Sequence, residues 1–469
     1  MLSTKTIIQH SGLGFGTSGV RGLVSQLTPE ACQAFTHAFI SVMHERYAFN
    51  KVALGIDNRP SSLGMASACA AALQQLGVEP LFYGVLPTPA LALQAIHCRI
   101  PAIMVTGSHI PHDRNGLKFY GPGGEITKTE ERQILEADIV FSKIMAQPTL
   151  RPSTEAAVRY TERYLHFFNE NALAHKRIGI YEHSSAGRDI YPTIFKALGA
   201  TVIPLGRSND FVPIDTEALS QEDEQIAINW TRQYGLDALF STDGDGDRPM
   251  LADEQGHWIK GDILGLLCCQ YLGIQSVAMP LNCNSAVERS EIVTQVIRTR
   301  IGSPYVLEAM GALAGKVAGF EANGGFMLGS SIDHKGRHLS ALPTRDALLP
   351  ALAALIQARE KGLAAILATL PNRFTHSDRI KVNPTALMQK ASNEPTWLFQ
   401  LLGLATDTYL DIDLTDGIRI QLTGNNILHL RASANAPELR CYAEANTQAQ
   451  AITLVNNNLK LIKRLIDME

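Results

Sequence analysis

Pro101-Ala-Ile-Met-Val-Thr106-Gly-Ser-His-Ile-Pro111 is the stretch that decides the fold class. Its first five residues make an apolar run of strand length, and a glycine-serine pair follows almost at once. A buried strand that ends in such a loop marks the usual ligand side of an α/β sheet, so Ser108 is predicted to emerge at that edge. Continuing into Asn115-Gly-Leu-Lys118, the segment sets a hydroxyl, the His109 imidazole and the Lys118 amine beside backbone that glycine keeps accessible. It reads as a serine able to carry a phosphoryl group. A plain Gly-Ser turn closing a strand fits the same residues, and the choice depends on the rest of the chain.

Working outward, Thr28-Pro29 is a fitting helix start, and Ala31, Ala34, Phe35, Ala38, Phe39 and Val42 then recur at helical spacing. Lys51 to Ile56 alternates as a strand, Ser61 to Leu76 reads as a helix ended by Gly77, and Leu81 to Val85 is a strand again. This βαβ rhythm ends at Ser108. It recurs from Ile178 to Leu205, with its helix closed at Gly199, and again from Val277 through the helical stretch after Pro304. The pattern predicts three α/β units, each presenting one loop after a strand, and a smaller α+β unit from about Asn372. With linkers near Pro148 to Pro152 and around Pro371, the expected domains are 1–148, 149–255, 256–371 and 372–469.

Three further loops carry chemistry. Asp243-Gly-Asp-Gly-Asp247-Arg248 follows the apolar Leu239-Phe240. Alternating carboxylates with glycine between them can turn toward one centre and supply hard oxygen ligands suited to Mg²⁺. An EF-hand would need glycine at the sixth position, where Arg248 stands; a solvated acidic turn is the other reading. Arg248 would offset the carboxylates or meet a phosphate. Gly319-Phe-Glu321-Ala-Asn323-Gly-Gly325 pairs a carboxylate with a carboxamide, a suitable couple for sugar hydroxyls, although an Asn-Gly turn between two strands fits as well. Arg431-Ala-Ser433-Ala-Asn435-Ala-Pro437-Glu-Leu-Arg440 combines planar cationic forks with neutral donors and looks like a phosphate cradle. It lacks the nucleotide P-loop pattern.

Composition sets limits. A chain of 469 residues, 45% hydrophobic, can bury several cores. Its net charge of -4 argues against a general nucleic-acid binder. The first ten residues hold no apolar core of signal-peptide length, and Ala347 to Ala358 is too short to span a bilayer and reads as a buried helix. Seven cysteines without C-x-x-C spacing fit unpaired thiols in a reducing cytoplasm. The expectation is a cytoplasmic protein, monomer or small homo-oligomer, that engages neither nucleic acid nor membrane.

Gly14-Phe-Gly-Thr-Ser-Gly-Val-Arg21-Gly, the Ser108 and Lys118 segment, the Asp243 loop and the Arg431 to Arg440 segment stand in the order seen in the α-D-phosphohexomutases, and the chain resembles that family from Phe15 to Glu444. The resemblance implies a four-domain α/β architecture, three related α/β domains plus a smaller C-terminal α+β domain, each giving one loop to a central cleft. It also implies interconversion of hexose 1-phosphates and 6-phosphates through a phosphoserine, one Mg²⁺, and a hexose 1,6-bisphosphate that turns over in the cleft. Carried over residue by residue, Ser108 is the phosphoryl carrier. Ser108, Asp243, Asp245 and Asp247 hold the metal. Arg21 and Arg248 hold the moving phosphoryl group, with Lys118 and His109 as candidates for proton handling. Glu321 and Asn323 bind ring hydroxyls, while Arg431, Ser433, Asn435 and Arg440 accept either distal phosphate.

Two departures from the common pattern bear on these roles. Asn323 replaces a serine, and Gly325 stands where a histidine or other polar residue is usual, which removes one proton-transfer group; His334 and His338 follow nearby. Asn435-Ala-Pro437 replaces Thr-Glu-Pro. Together these loops most resemble a bacterial phosphomannomutase subgroup. Phosphoglucomutase or dual specificity is the alternative, since the two sugars differ at one hydroxyl. A phosphatase with an aspartate nucleophile leaves the Ser108 and Arg431 segments unexplained, and a non-catalytic sugar-phosphate sensor would tolerate losses that are not seen.

Overall fold

The computed structural model describes residues 1–466 except Met145, 404–408 and 434–437. Its first sheet runs Gly14–Phe15, Val20–Leu23, Arg114–Gly121, Ala102–Val105, Lys51–Ile56, Glu79–Val85. Lys51–Ile56 pairs in parallel with both Glu79–Val85 and Ala102–Val105, whereas Arg114–Gly121 returns antiparallel. The expected alternation of Lys51 to Ile56 takes an unexpected form, since every residue from Val52 onward is buried. Being central, the strand has two apolar faces. Val52, Leu54 and Ile56 enter the core beneath the helices Pro29–His44 and Ser62–Gln75, and Ala53 enters a second core with the helix Thr88–Cys98.

The same local plan recurs twice. In the second unit Arg177–Tyr181 lies parallel to Thr201–Leu205 and Ala238–Thr242, and Pro249–Ala252 returns antiparallel to the last of these. In the third, Ser276–Pro280 lies parallel to Gln295–Thr299 and Val317–Phe320, and Phe326–Leu328 returns antiparallel. Each time a functional loop lies between a parallel strand and the antiparallel strand that follows it. Ser108 comes after Val105, the aspartates after Thr242 and Glu321 after Phe320. The helix expected from Ala347 to Ala358 is Leu348–Gln357, flanked by those two residues as caps and buried along most of its length.

The fourth unit is an antiparallel sheet ordered Phe374–Lys381, Glu438–Ala445, Ile427–Ala432, Ile418–Leu422, Tyr409–Asp413, covered by the helix Gln448–Ile466. One apolar core runs from Ala53 to Leu363 through the first three units, while the fourth has a core of its own from Leu387 to Ile462.

Candidate active site

Ser108 is buried and sits at φ +55°, a left-handed conformation that costs a non-glycine residue about 1–3 kcal/mol. The surrounding structure enforces it. Arg59 donates to the carbonyls of Ser108 (3.0 Å), Ile110 (2.5 Å), Pro111 (2.7 Å) and Arg114 (2.9 Å), so one guanidinium gathers the whole loop. A Cβ at Gly107 would lie 2.6 Å from Arg59 Cζ, which is why glycine precedes the serine. Asp57 in turn accepts from Arg59 Nε (3.2 Å), Ser62 (2.6 Å) and Thr106 (2.7 Å), and Thr106 Oγ1 accepts the Ser108 amide at 2.8 Å.

This scaffold aims Ser108 Oγ at the second loop, where it donates to Asp243 Oδ2 at 2.8 Å. Asp243, Asp245 and Asp247 are all buried and each offers an oxygen within 4.8 Å of the others. Lys118 Nζ bridges Asp245 Oδ2 (2.5 Å) and Asp247 Oδ2 (2.6 Å), and Thr88 donates to Asp245 at 2.6 Å. Burial, and then the neighbouring Asp245 and Asp247, push the Asp243 carboxyl well above its ordinary range. Burial acts on Asp245 too, but the charge and hydrogen bond of Lys118 hold it below that range. Asp245 Oδ1 and Asp247 Oδ1 are buried without a hydrogen-bond partner among the described residues. Buried acceptors lacking donors within a trio of hard oxygens fit a divalent cation such as Mg²⁺.

Cations surround the trio. Arg248 reaches Asp243 and Asp247 at 3.8 Å, and its Nη1 donates to His109 Nδ1 at 2.7 Å. Burial, followed by the Arg248 charge, lowers the His109 pKa to about 3. The imidazole is therefore neutral, with Nδ1 engaged as an acceptor and Nε2 left as a donor. Arg21 donates to the Val20 carbonyl at 3.1 Å; burial draws its pKa down to about 10, with Asp245 and Asp247 opposing and Arg345 and Arg59 reinforcing.

At the third loop the reading as a turn between two strands holds. Glu321 to Gly325 is the turn of a hairpin, with the Gly324 amide donating to the Glu321 carbonyl (2.9 Å) and the Gly325 amide to Asn323 Oδ1 (3.1 Å). Asn323 thus spends its side-chain oxygen on the turn and keeps its amide NH₂ as a donor, where the sequence suggested that it could both accept and donate toward a sugar. In the fourth unit the expected loop shrinks. Arg431 and Arg440 stand directly opposite each other on the strands Ile427–Ala432 and Glu438–Ala445. Arg431 pairs with Asp416 at 2.8 Å, whereas Arg440 lines a cavity of about 470 Å³ together with Asp215, Glu217 and Tyr442. The Ser433 amide donates to the Glu438 carbonyl at 2.9 Å, and Asn435 lies outside the described residues.

Models of the phosphoglucomutase/phosphomannomutase α/β/α domains I, II and III match residues 12–140, 159–256 and 260–374. The chain belongs to this family. It is 52% identical over 471 residues to a phosphomannomutase of Salmonella muenchen, covering 98% of each chain. A phosphoglucomutase/phosphomannomutase family protein from Burkholderia thailandensis superposes with a TM-score of 0.75 at 19% identity, over 99% of this chain and 98% of that one. The N-acetylphosphoglucosamine mutase of Aspergillus fumigatus, solved with GlcNAc-6P and magnesium, superposes at 0.58 with 12% identity, over 98% and 99%. The architecture is the four-domain one of the phosphohexomutases, three α/β domains and a C-terminal α+β domain.

Within this candidate site, several participants have no sequence signal of their own. Arg59 sits in Asn58-Arg-Pro after the strand Lys51–Ile56, and only its position at a strand end could have flagged it. Thr88 and Arg345 lie in stretches without glycine. Arg345 is fully buried, pairs with Asp247 (3.0 Å) and Glu321 (3.3 Å) and donates to Ser18 Oγ (3.1 Å). The nearby histidines do not supply what Gly325 lacks. His334 packs against the rings of Tyr271 and Phe167, and His338 pairs with Asp333 on an exposed hairpin.

Proposed function

We propose that this chain interconverts mannose 1-phosphate and mannose 6-phosphate through phospho-Ser108 and a hexose 1,6-bisphosphate, with one Mg²⁺ per site. The observation that carries the reading is the direct bond between Ser108 Oγ and Asp243 inside a carboxylate trio ringed by Lys118, Arg248 and Arg345. Phosphoryl transfer requires alignment and charge neutralisation, and both are built into this geometry. Arg59 and Asp57 fix the direction from which Ser108 Oγ meets phosphorus. Arg21 and Arg248 bring fixed positive charge to the phosphoryl oxygens, and neutral His109 donates through Nε2. The buried Lys118 ammonium balances Asp245 and Asp247 and supplies transition-state charge or a proton. Asp243, Asp245 and Asp247 would hold magnesium with the phosphoserine, and the ion would neutralise the transferring group.

Glu321 and the Asn323 amide take ring hydroxyls, and Arg440, with Arg431 and Ser433, takes the distal phosphate. The 52% identity to a phosphomannomutase supports mannose as the sugar. All seven cysteines are free thiols, six of them buried, which suits a reducing cytoplasm. Among the described residues no helix is long and apolar enough to cross a membrane. The test is ³¹P NMR of purified protein with mannose 1-phosphate, magnesium and catalytic hexose 1,6-bisphosphate. The 6-phosphate should appear, and intact-mass mapping should place covalent phosphate on Ser108. A preparation that turns over only glucose 1-phosphate would make the enzyme a phosphoglucomutase, and phosphate found only on an aspartate would replace the serine mechanism.

A further inference from the structure

Arg345 is the bulkiest side chain that the fold buries completely. Burying a guanidinium is costly unless it is paired, and here Nη1 and Nη2 reach three separate loops while Nε has no hydrogen-bond partner among the described residues. Nη2 meets Asp247 of the carboxylate trio at 3.0 Å and Ser18 Oγ at 3.1 Å, while Nη1 meets Glu321 of the hairpin turn at 3.3 Å. Its backbone is equally constrained. The next residue, Asp346, accepts from Tyr160 (2.7 Å), from Tyr164 and from the Leu348 amide (3.0 Å).

The hairpin turn is shaped around this arginine. Phe326 pairs with Asp346 across the sheet, and the Arg345 side chain lies against the Gly325 backbone. A Cβ at Gly325 would lie 2.6 Å from Arg345 Cδ, 2.7 Å from Cγ and 3.0 Å from Cβ. A side chain at 325 and the present course of Arg345 therefore exclude each other. The glycine at 325, where the resemblance calls for a polar residue, is matched by a cation supplied from the neighbouring strand.

We propose that Arg345 is a positioning residue that links hexose recognition to the cation site, with Gly325 as the opening that admits it. One planar fork shared between Glu321 and Asp247 makes the two carboxylates respond to each other. When a sugar hydroxyl or a substitution takes Glu321 out of the pair, the guanidinium charge falls more fully on Asp247 and competes with a bound cation. With Glu321 in place, that charge is shared and Asp247 is freer to coordinate. The inference rests on the reading of Asp247 as a metal ligand and of Glu321 as a sugar ligand.

The test reads metal binding directly, with Mn²⁺ as the probe and electron paramagnetic resonance of the free ion as the signal, on full-length protein without substrate. Glu321→Gln should weaken Mn²⁺ binding about fivefold, the lower range of coupling between linked sites. In an Arg345→Met background the same substitution should change it less than about twofold, because the shared fork is gone. Should thermal unfolding show Arg345→Met to be misfolded, Gly325→Ala serves in its place, since its methyl must displace the arginine; the linkage should fall in the same way. Equal shifts in the two backgrounds, or no shift from Glu321→Gln in the natural chain, would overturn the link while leaving the mutase reading intact. Absence of any Mn²⁺ binding by the natural chain would instead overturn the metal reading, and the link with it.

Discussion

The first three units and the fourth meet the cleft in different ways. Ser108 bonds to Asp243, Lys118 to Asp245 and Asp247, and Arg345 to Asp247 and Glu321, so the loops of the first three units are tied to one another through buried polar contacts. One apolar core runs through all three of these units. The fourth unit keeps its own core, and Arg431 faces Asp416 in a turn of the same unit. Its ties to the third unit lie away from the aspartate trio, with Asn284 donating to the Arg373 carbonyl (2.9 Å), Ser285 bonding Glu444 and the Ile301 amide donating to Asp416 (2.9 Å). On the proposed function, the half that would transfer phosphoryl groups is preassembled, and the half that would hold the distal phosphate packs around a core of its own, as a bisphosphate that must turn around would require.

The strongest way to break this comparison is at the preassembled half. Ser108→Ala removes the only oxygen the loop aims at Asp243, and turnover should fall by at least roughly a thousandfold even with hexose 1,6-bisphosphate supplied. Thermal unfolding should shift little, because alanine loses one hydrogen bond while the Arg59 scaffold stays. Activity close to that of the natural chain would show that the buried serine is structural.

The next test is of motion. Units with separate cores and polar interfaces close over ligands on slow timescales, and closure excludes water from the transfer step. Small-angle scattering of the protein saturated with a hexose 1,6-bisphosphate should show a smaller radius of gyration than the free protein. Hydrogen exchange should slow at the strands bearing Arg431 and Arg440 and remain unchanged around Ser108. An identical pair of scattering curves would mean that the two halves are equally rigid.

A finer contrast separates phosphate from sugar recognition. Arg431→Ala should raise KM for mannose and glucose phosphates alike, by about tenfold to a hundredfold, the range for a charged hydrogen bond. Asn323→Ala should change the ratio of kcat/KM between the two epimers, because a lost hydroxyl contact matters differently for each. A strong epimer shift from Arg431→Ala with none from Asn323→Ala would reverse the two assignments.

What was legible in the sequence follows the same division. Ser108, Asp243 to Asp247 and Glu321 each stand just past an apolar strand with glycine beside them, a local signature that survives without coordinates. Arg59, Thr88 and Arg345 act by reaching across space from stretches of ordinary composition, and no spacing within the chain encodes that reach. The alternation of Lys51–Ile56 is real but divides two apolar faces, a distinction that depends on helices packed on both sides of the sheet. Gly325 is the clearest case. In the sequence it reads as a lost side chain, and in the fold it is the space that Arg345 fills.

The smallest expected effect concerns Glu217, which the sequence reading passed over. It accepts from Asn282 Nδ2 at 2.9 Å and sits at the junction of the halves, lining both the cavity beside Arg440 and another beside Lys260, Asp262 and His376. Burial first, and then Asp215, raise its pKa to about 7; Glu321 adds to the rise, while Arg440 and Arg248 oppose it. A carboxyl whose folded pKa lies above its unfolded value near 4.5 binds its proton more tightly when folded. Its contribution to stability is therefore fully present below about pH 4.5 and is lost as pH rises through about 7. Glu217→Gln keeps an oxygen for Asn282 and removes the charge. Denaturant unfolding of the metal-free protein should show the variant gaining on the natural chain between pH 5 and pH 8, by on the order of 1 kcal/mol or less because the cavities admit solvent. A gap that stays constant across that range would mean the Glu217 carboxylate is already well solvated, and that the junction between the two halves is more open to water than its packing indicates.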